Sequence, residues 1–477
     1  MTNSIYWYDY ETFGINPRFD RLAQFGGIRT DENLNIISDP LVIYCRPAND
    51  MLPDPNACLI TGITPQKATT GGIIESEFIS MIHKEFSQPG TCVAGYNNIR
   101  FDDEFTRHCL YRNFFNAYGH EWQHGNSRWD IIDLVRITRA LRPAGIEWPI
   151  SDDGKPSIRL ELLTKFNNIS HESAHDAMSD VYATIEIAKL IRNKQPRLYD
   201  YMYSLRKKQE VSKQFNLRTR DCVLHASSKF SAERNSIAMV MPVCQHPSNK
   251  NSIIVYDLNT APDDFISASS ADIQSRLYTK TTDLPEGQQR IPLKEIHINK
   301  CPAVVPLKTM DDECAKRLNI DVELCLANRG RILENIDLLA EKTREVFSRN
   351  DYLEVTDPDA QLYSGGFFSE ADNARMERIR KCSPDKLSEL NLSFDDNRLP
   401  EMLFRYRARN FPGTLNDEEI TRWNEYRYHK LTDPEAGHRT IDQYTSDIEE
   451  LISNPDTTEK QRAILEDLLE YSKQLDI

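Results

Sequence analysis

The feature that most constrains this chain is a pair of acidic residues in an aromatic segment at its start, residues 5–14, IYWYDYETFG. Aromatic and β-branched residues at this density predict a buried β-strand. Because successive strand side chains point to opposite faces, Asp9 and Glu11 share one face. Two adjacent buried carboxylates repel each other and are costly to desolvate unless a cation joins them. The segment therefore predicts a divalent metal site, and the alternative is an edge strand with a solvated polar face.

Length and charge allow several domains and do not exclude a nucleic-acid partner. A chain of 477 residues is long enough for two or three domains, each with its own core. The net charge is −15, but residues 351–477 hold 28 Asp and Glu against 16 Lys and Arg, and residues 189–220 hold ten basic residues against two acidic ones. Such a basic stripe suits a phosphate backbone, and a solvated helix face explains it equally well.

The composition favours a cytoplasmic protein without a membrane partner. No apolar run approaches the length of a membrane span, and no basic segment followed by an apolar one begins the chain. The ten cysteines are scattered without a Cys-x-x-Cys pair. This spacing indicates reduced thiols and not a disulfide framework or a zinc site.

A second group of acids follows a predicted strand at residues 91–95. The run Asp102, Asp103 and Glu104 begins a predicted helix. Acids in a first helical turn are favoured by the helix dipole, so this run has a purely structural explanation. The functional interpretation takes one of them as a further metal ligand, and spacing does not decide which.

A third group lies at residues 171–181, before a predicted helix. Asp176 and Asp180 are one helical turn apart on one face, and His175 sits at or just before the first turn. A histidine and an aspartate placed in this way can face one cavity. The alternative is that Asp176 caps the helix while Asp180 is a solvated surface acid.

Taken together, these three motifs resemble the histidine-containing subclass of the DEDD exonucleases: Asp9-x-Glu11, Phe101-Asp102 after a strand, and His175-x4-Asp180 before an alanine-rich helix. More specifically, residues 96–104 (YNNIRFDDE), 126–130 (NSRWD) and 174–177 (AHDA) are similar to the bacterial exodeoxyribonuclease I family. The resemblance implies an α/β fold, namely a ribonuclease-H-like mixed-sheet domain of the proofreading-exonuclease type. It also implies the active-site acids Asp9, Glu11, Asp102 and Asp180, with His175 as the base.

The resemblance implies a processive 3′-to-5′ exonuclease that degrades single-stranded DNA to 5′-mononucleotides, with a role in DNA repair and recombination. Four carboxylates suit two Mg2+ ions, with Mn2+ as a substitute. A histidine with an ordinary pKa near 6.5 suits proton abstraction from water at neutral pH. The acidic tail of single-stranded-DNA-binding protein is implied as a partner, and we expect a monomer.

Several residues are expected to contact the substrate. Interleaved rings and arginines at residues 122–142 suit stacking on bases and pairing with phosphates, although an amphipathic helix explains them equally well. An arginine near the start of a helix opposes the dipole and therefore suggests an anionic partner for Arg159. The expected contacts are Glu11, Thr12, Phe13, Arg107, Trp122, Arg128, Arg136 and Arg159.

We expect an exonuclease domain at residues 1–195, a β-barrel domain at 196–350 and a helical domain at 351–477. Short apolar runs at 222–224, 237–241, 253–256 and 303–305 predict strands, and the resemblance implies an Src-homology-3-like barrel. In the third domain, rings alternate with arginines at residues 404–410. A helix face packed over an aromatic core explains this pattern slightly better than stacking on DNA.

Three rival functions fit parts of the pattern. The same chemistry would allow trimming of RNA or of small oligonucleotides. An inactive, strand-binding scaffold is disfavoured because the four acids and the histidine are all present. A phosphatase that uses Asp-x-Asp chemistry is disfavoured because the second position is Glu11.

Overall fold

The computed structural model describes residues 3–151, 154–171, 176–348 and 355–477. Its contacts divide the chain into two compact units. The first comprises Met1–Ser127, His171–Tyr182 and Leu353–Ile477, and the second comprises Arg128–Ser170 and Ala183–Tyr352. Among the described residues, no helix combines the length and the apolar character needed to cross a lipid bilayer.

The amino-terminal part of the first unit is a mixed sheet with helices packed against it, as predicted. Its elements are β1 (Ser4–Thr12), β2 (Leu22–Asp31), β3 (Leu41–Cys45), α1 (Pro55–Thr61), α2 (Pro65–Gly71), β4 (Gly72–Ile73), α3 (Glu75–Phe86), β5 (Thr91–Gly95) and α4 (Asp102–Arg112). The strand order is β4-β3-β2-β1-β5, with β1 antiparallel to β2 and parallel to β5. Strand β1 is therefore central, which rules out the edge-strand alternative.

Alternation along β1 gives the strand two different faces. Tyr6, Tyr8 and Tyr10 share a core cluster with Phe25 of β2 and with residues of α3 and α4. The other face carries Asp9 and Glu11 in line with the buried side chains of Ile5 and Trp7. The aromatic residues that predicted a buried strand thus anchor β1, while its acids point the other way.

The chain continues through β6 (Ser127–Asp130) into the second unit. The following elements are α5 (Ile131–Leu141), α6 (Leu160–Phe166), α7 (Ala177–Lys194), α8 (Pro196–Ser204), α9 (Lys208–Ser212), β7 (Val223–Ala226), β8 (Ile237–Gln245), β9 (Ser252–Asp257), α10 (Asp263–Ser267), α11 (Ser270–Tyr278), β10 (Leu293–His297), β11 (Ala303–Pro306), α12 (Asp312–Arg317), α13 (Val322–Glu334) and α14 (Ile336–Ser348). Strands β7 to β11 form an antiparallel sheet in the order β10-β9-β8-β7-β11. The four predicted strands all lie in this sheet.

The carboxyl-terminal region is helical, as predicted, and belongs to the first unit. Its helices are α15 (Glu370–Lys381), α16 (Arg398–Asn410), α17 (Asp417–Thr432), α18 (Ile441–Ser453) and α19 (Glu459–Gln474). Tyr444, Leu465 and Leu468 from α18 and α19 share one hydrophobic cluster with Phe13 and Ala23. Phe13 directly follows Thr12, the last residue of β1. The last helices therefore pack against the end of β1.

The predicted alternation of rings and arginines at residues 404–410 lies on α16 and is buried. Arg405 pairs with Asp359 at 3.0 Å, and Arg409 pairs with Asp50 at 2.9 Å. The side chains of Arg405 and Arg409 are only 8% and 5% exposed. Of the two interpretations of this segment, the structure therefore supports the packed helix face and not stacking on DNA.

Candidate active site

Strand β1 places two carboxylates on one face of the central sheet. Asp9 stands opposite Gly26 of β2, and Glu11 stands opposite Gln24. Glu11 is buried, and Asp9 is half-buried. The strand register thus places the two acids side by side on one face, as predicted.

The start of α7 brings a third carboxylate to these two. The helix approaches β2 so closely that a Cβ atom on Gly26 would lie 2.6 Å from the Met178 backbone nitrogen and 2.7 Å from the Ala177 carbonyl carbon. A glycine is therefore required opposite Asp9. Asp180 lies in the first turn of α7, and one carboxylate oxygen each from Asp9, Glu11 and Asp180 falls within 4.8 Å of the others.

Burial and, after it, mutual repulsion set the electrostatics of this acidic cluster, which consists of Asp9, Glu11 and Asp180. Burial, followed by the charges of Asp180 and Asp176, raises the pKa of Glu11 to about 8. Burial also raises the pKa of Asp9 well above its usual range, with contributions from Asp102, Glu11 and Asp180. Like charges in a shared, poorly solvated space favour protonation unless a cation compensates them. The donor set consists of hard oxygen ligands and fits a divalent metal ion.

The structure separates the three acids at the start of α4. The Tyr8 hydroxyl donates to Asp103 Oδ1 at 2.6 Å, and Glu104 accepts from Arg107 at 2.7 Å. Asp102, which is 4% exposed, contributes the largest charge effect on the pKa of Asp9. Of the three, Asp102 is the acid whose charge acts on the cluster, a distinction that the spacing of the acids left open.

The two acids at the start of α7 also have different environments. Asp176 Oδ1 accepts from the Ser179 backbone N–H at 3.2 Å, as an N-cap does, and Oδ2 accepts from Gln24 Nε2 at 3.4 Å. Asp180 instead belongs to the acidic cluster. The capping alternative therefore holds for Asp176, and the surface-acid alternative for Asp180 does not.

A histidine without a role in the sequence prediction contacts the cluster. His171 Nε2 lies 2.5 Å from Asp180 Oδ1. The predicted base, His175, lies outside the described residues. His171 lies six residues before α7 begins, and its place in the sequence gives no signal of this contact.

Besides Glu11, four predicted substrate contacts lie in the first unit. The Thr12 hydroxyl donates to the Gly14 carbonyl at 2.6 Å, and the Phe13 ring has no exposed surface because it packs in the core. Arg107 is buried and donates to both carboxylate oxygens of Glu121, at 2.6 and 3.0 Å. Trp122 is 65% exposed. Of these four, only the Trp122 ring is largely open to solvent.

Three predicted contacts lie in the second unit. Arg128 is buried and donates to the Asn299 carbonyl at 3.3 Å, and Arg136 is buried and pairs with Asp133. Arg159 is exposed and directly precedes α6. The prediction that Arg159 lies near the start of a helix is confirmed, with Arg159 at the N-cap position and not within the first turn.

Comparison with known proteins places this geometry in a family. Residues 6–188 match an exonuclease family, residues 206–349 match the exonuclease I SH3-like domain, and residues 356–475 match the exonuclease I C-terminal domain. Exodeoxyribonuclease I of Haemophilus influenzae is 44% identical over 474 residues, which cover 99% of this chain and 98% of the relative.

Two solved structures show the same fold over the whole chain. A zinc-bound complex of Escherichia coli exonuclease I with single-stranded DNA has a TM-score of 0.95 at 42% identity, and covers 100% of both chains. A structure of SSB and exonuclease I with an inhibitor has a TM-score of 0.91 at 42% identity, also covering 100% of both chains.

Proposed function

This chain belongs to the exodeoxyribonuclease I family, and on that premise we propose that it removes 5′-mononucleotides from the 3′ end of single-stranded DNA by metal-dependent hydrolysis. The acidic cluster carries the proposal, because its raised pKa values mark a site built to receive positive charge. The resemblance to an enzyme that was solved with single-stranded DNA supports the choice of substrate.

Asp9, Glu11, Asp102 and Asp180 are proposed to hold two Mg2+ ions, with Mn2+ as a substitute. When bound, such ions supply Lewis-acid activation of the phosphodiester and of water. Oxygen donors favour Mg2+ over zinc, although the related complex contains zinc. Glu11, the least exposed acid of the cluster, is also proposed to contact the terminal sugar.

His175 is proposed as the base that takes a proton from the attacking water. Its position in sequence, five residues before Asp180, supports this role, since it precedes the same helix that carries a ligand. An imidazole with an ordinary pKa suits this proton transfer near neutral pH.

Trp122 and Arg159 are proposed as direct DNA contacts because both side chains reach the surface. The buried arginines at positions 107, 128 and 136 are proposed to reach DNA through the edges of their guanidinium groups while their carboxylate or carbonyl partners hold them in place. Thr12 is proposed to contact the last nucleotide. Phe13 is proposed to act indirectly, by anchoring the end of β1.

We propose the domains 1–195, 196–350 and 351–477, which the family matches at 6–188, 206–349 and 356–475 support. The related structure that contains SSB supports SSB as a partner. We propose that its acidic tail contacts the basic residues at 189–220 together with Arg142. We also propose that the protein is a monomer in the bacterial cytoplasm and that it acts processively in DNA repair and recombination.

The test is digestion of single-stranded DNA labelled at either end, with Mg2+ or with EDTA. We expect the 3′ label to be released first as a mononucleotide, and neither EDTA-treated enzyme nor Asp180→Asn to act. When trap DNA is added after binding, we expect many nucleotides to be released per binding event. Early loss of the 5′ label, or equal digestion in EDTA, would disprove the proposal. A matched RNA strand tests the rival substrate.

A further inference from the structure

We infer that His171 is a positioning residue that orients the Asp180 carboxylate within the acidic cluster, an inference that rests on the proposed function. Its Nε2 lies 2.5 Å from Asp180 Oδ1, a short contact for a nitrogen donor and a carboxylate. The His171 side chain is 5% exposed, whereas that of Asp180 is 19% exposed. The imidazole is thus enclosed, and it reaches the acid from outside α7.

The fold fixes the backbone of Asp180 but not the direction of its carboxylate. The contact of α7 with Gly26 sets the helix position, and the Asp176 cap sets its first turn. An aspartate side chain has staggered rotamers that are close in free energy. A hydrogen bond from outside the helix therefore helps to select one direction.

Repulsion would turn this carboxylate away from the cluster. The charge of Asp180 raises the pKa of both Asp9 and Glu11, which means that the three acids repel one another. Because Asp180 is partly exposed, rotation toward water would relieve the repulsion. The hydrogen bond from His171 to Asp180 Oδ1 opposes that rotation.

A positioning role makes a different prediction from a role as general base. Partners that orient metal-binding carboxylates typically change metal affinity by about 10–100-fold when removed. A general base changes the rate of reaction and leaves metal affinity unaltered. The N–H group, and not the imidazole ring itself, is what positioning requires.

The test measures Mn2+ binding by electron paramagnetic resonance, without substrate, for wild type, His171→Phe and His171→Gln. The phenylalanine keeps a ring but lacks the donor, and we expect it to raise the Mn2+ dissociation constant about tenfold. The glutamine restores an N–H donor, and we expect affinity within about threefold of wild type. Unchanged affinity in His171→Phe, or glutamine as weak as phenylalanine, would overturn the inference. If His171→Phe does not fold, His171→Met, matched in length to glutamine, replaces it.

Two controls separate this inference from the proposed function. His429→Ala breaks an exposed histidine–aspartate pair, in which Nδ1 lies 3.6 Å from Asp433 Oδ2, and should leave Mn2+ binding unchanged. Wild type that neither binds Mn2+ nor degrades single-stranded DNA would refute the proposed function itself. Wild type that does both, alongside an unaffected His171→Phe, would refute only the role of His171.

Discussion

The first unit contains two buried groups of carboxylates with opposite electrostatics. In the acidic cluster, burial and neighbouring acids raise the pKa of Glu11 to about 8. In the second group, which we call the ion network (Asp50, Asp359, Arg405, Arg409 and Lys430), burial also raises the pKa of Asp50, but Arg409 and Lys430 outweigh it and hold that pKa well below its usual range.

The difference lies in where the compensating charge comes from. Asp50 accepts from Arg409 and from Lys430, each at 2.9 Å, so the folded chain supplies its counter-charge. Asp9 instead has Asp102, Glu11, Asp180 and Asp176 nearby, whose negative charges raise its pKa further. The first arrangement stabilises the fold, and the second stores repulsion that a bound cation would relieve. Buried charge is therefore informative about function only once its partners are known.

Asp9→Asn should show the largest effect, with opposite signs for activity and stability. Loss of one carboxylate should lower nuclease activity by about a thousandfold or more, since metal-based charge stabilisation contributes several kcal/mol. The same change removes repulsion and should raise the unfolding free energy of the metal-free protein by about 1 kcal/mol. Digestion assays and thermal unfolding in EDTA measure the two quantities. Asp467→Asn, on the exposed surface of α19, is the control for loss of one charge. A lower unfolding temperature for Asp9→Asn in EDTA would contradict the stored repulsion.

Asp50→Asn should lower stability and leave activity nearly unchanged, the reverse of Asp9→Asn. It leaves Arg409 and Lys430 facing each other without a full counter-charge, which typically costs about 3–5 kcal/mol of unfolding free energy. Activity at a temperature where the variant is folded should stay within about threefold of wild type, because Asp50 does not belong to the acidic cluster. Denaturant unfolding and digestion rates check both parts. A variant as stable as wild type would contradict this prediction.

The two groups also differ in how far the sequence predicted them. Asp9 and Glu11 lie within three residues of each other, and strand alternation alone places them on one face. Asp50, Asp359 and Arg409 are far apart in sequence, and only the packing of α16 against the amino-terminal half joins them. Local spacing predicts contacts within one strand or one helical turn, whereas the ion network depends on tertiary contacts. For the same reason, the alternation of rings and arginines at residues 404–410 favours a packed helix face only slightly over stacking on DNA.

The spacing of residues likewise does not predict that Asp180 lies beside Asp9. It depends on the close approach of α7 to β2, which Gly26 permits. The pair Gly26-Gly27 inside a strand was a signal for such an approach, since glycine weakens a strand unless another backbone lies against it. Interpreted in this way, the two glycines predict that another backbone segment packs against this strand at the site.

Gly26→Ala should therefore damage the site without removing any functional group. Its Cβ would lie 2.6 Å from the Met178 nitrogen, so α7 must shift and carry Asp180 with it. A displacement near 1 Å at a catalytic group typically costs about a hundredfold in rate. We expect that loss together with weaker Mn2+ binding, measured by digestion and by electron paramagnetic resonance.

Gly27→Ala is the matched test of direction. Its Cβ would meet the rings of Tyr6 and Phe25, at 2.6 and 2.7 Å, on the opposite face of β2. It should therefore lower the unfolding temperature while Mn2+ affinity stays within about threefold of wild type. Gly413→Ala, where a Cβ meets no heavy atom within 4 Å, should change neither quantity. If Gly26→Ala and Gly27→Ala reduced Mn2+ affinity equally, the effect would arise from a weakened sheet, and the position of α7 would not control the acidic cluster.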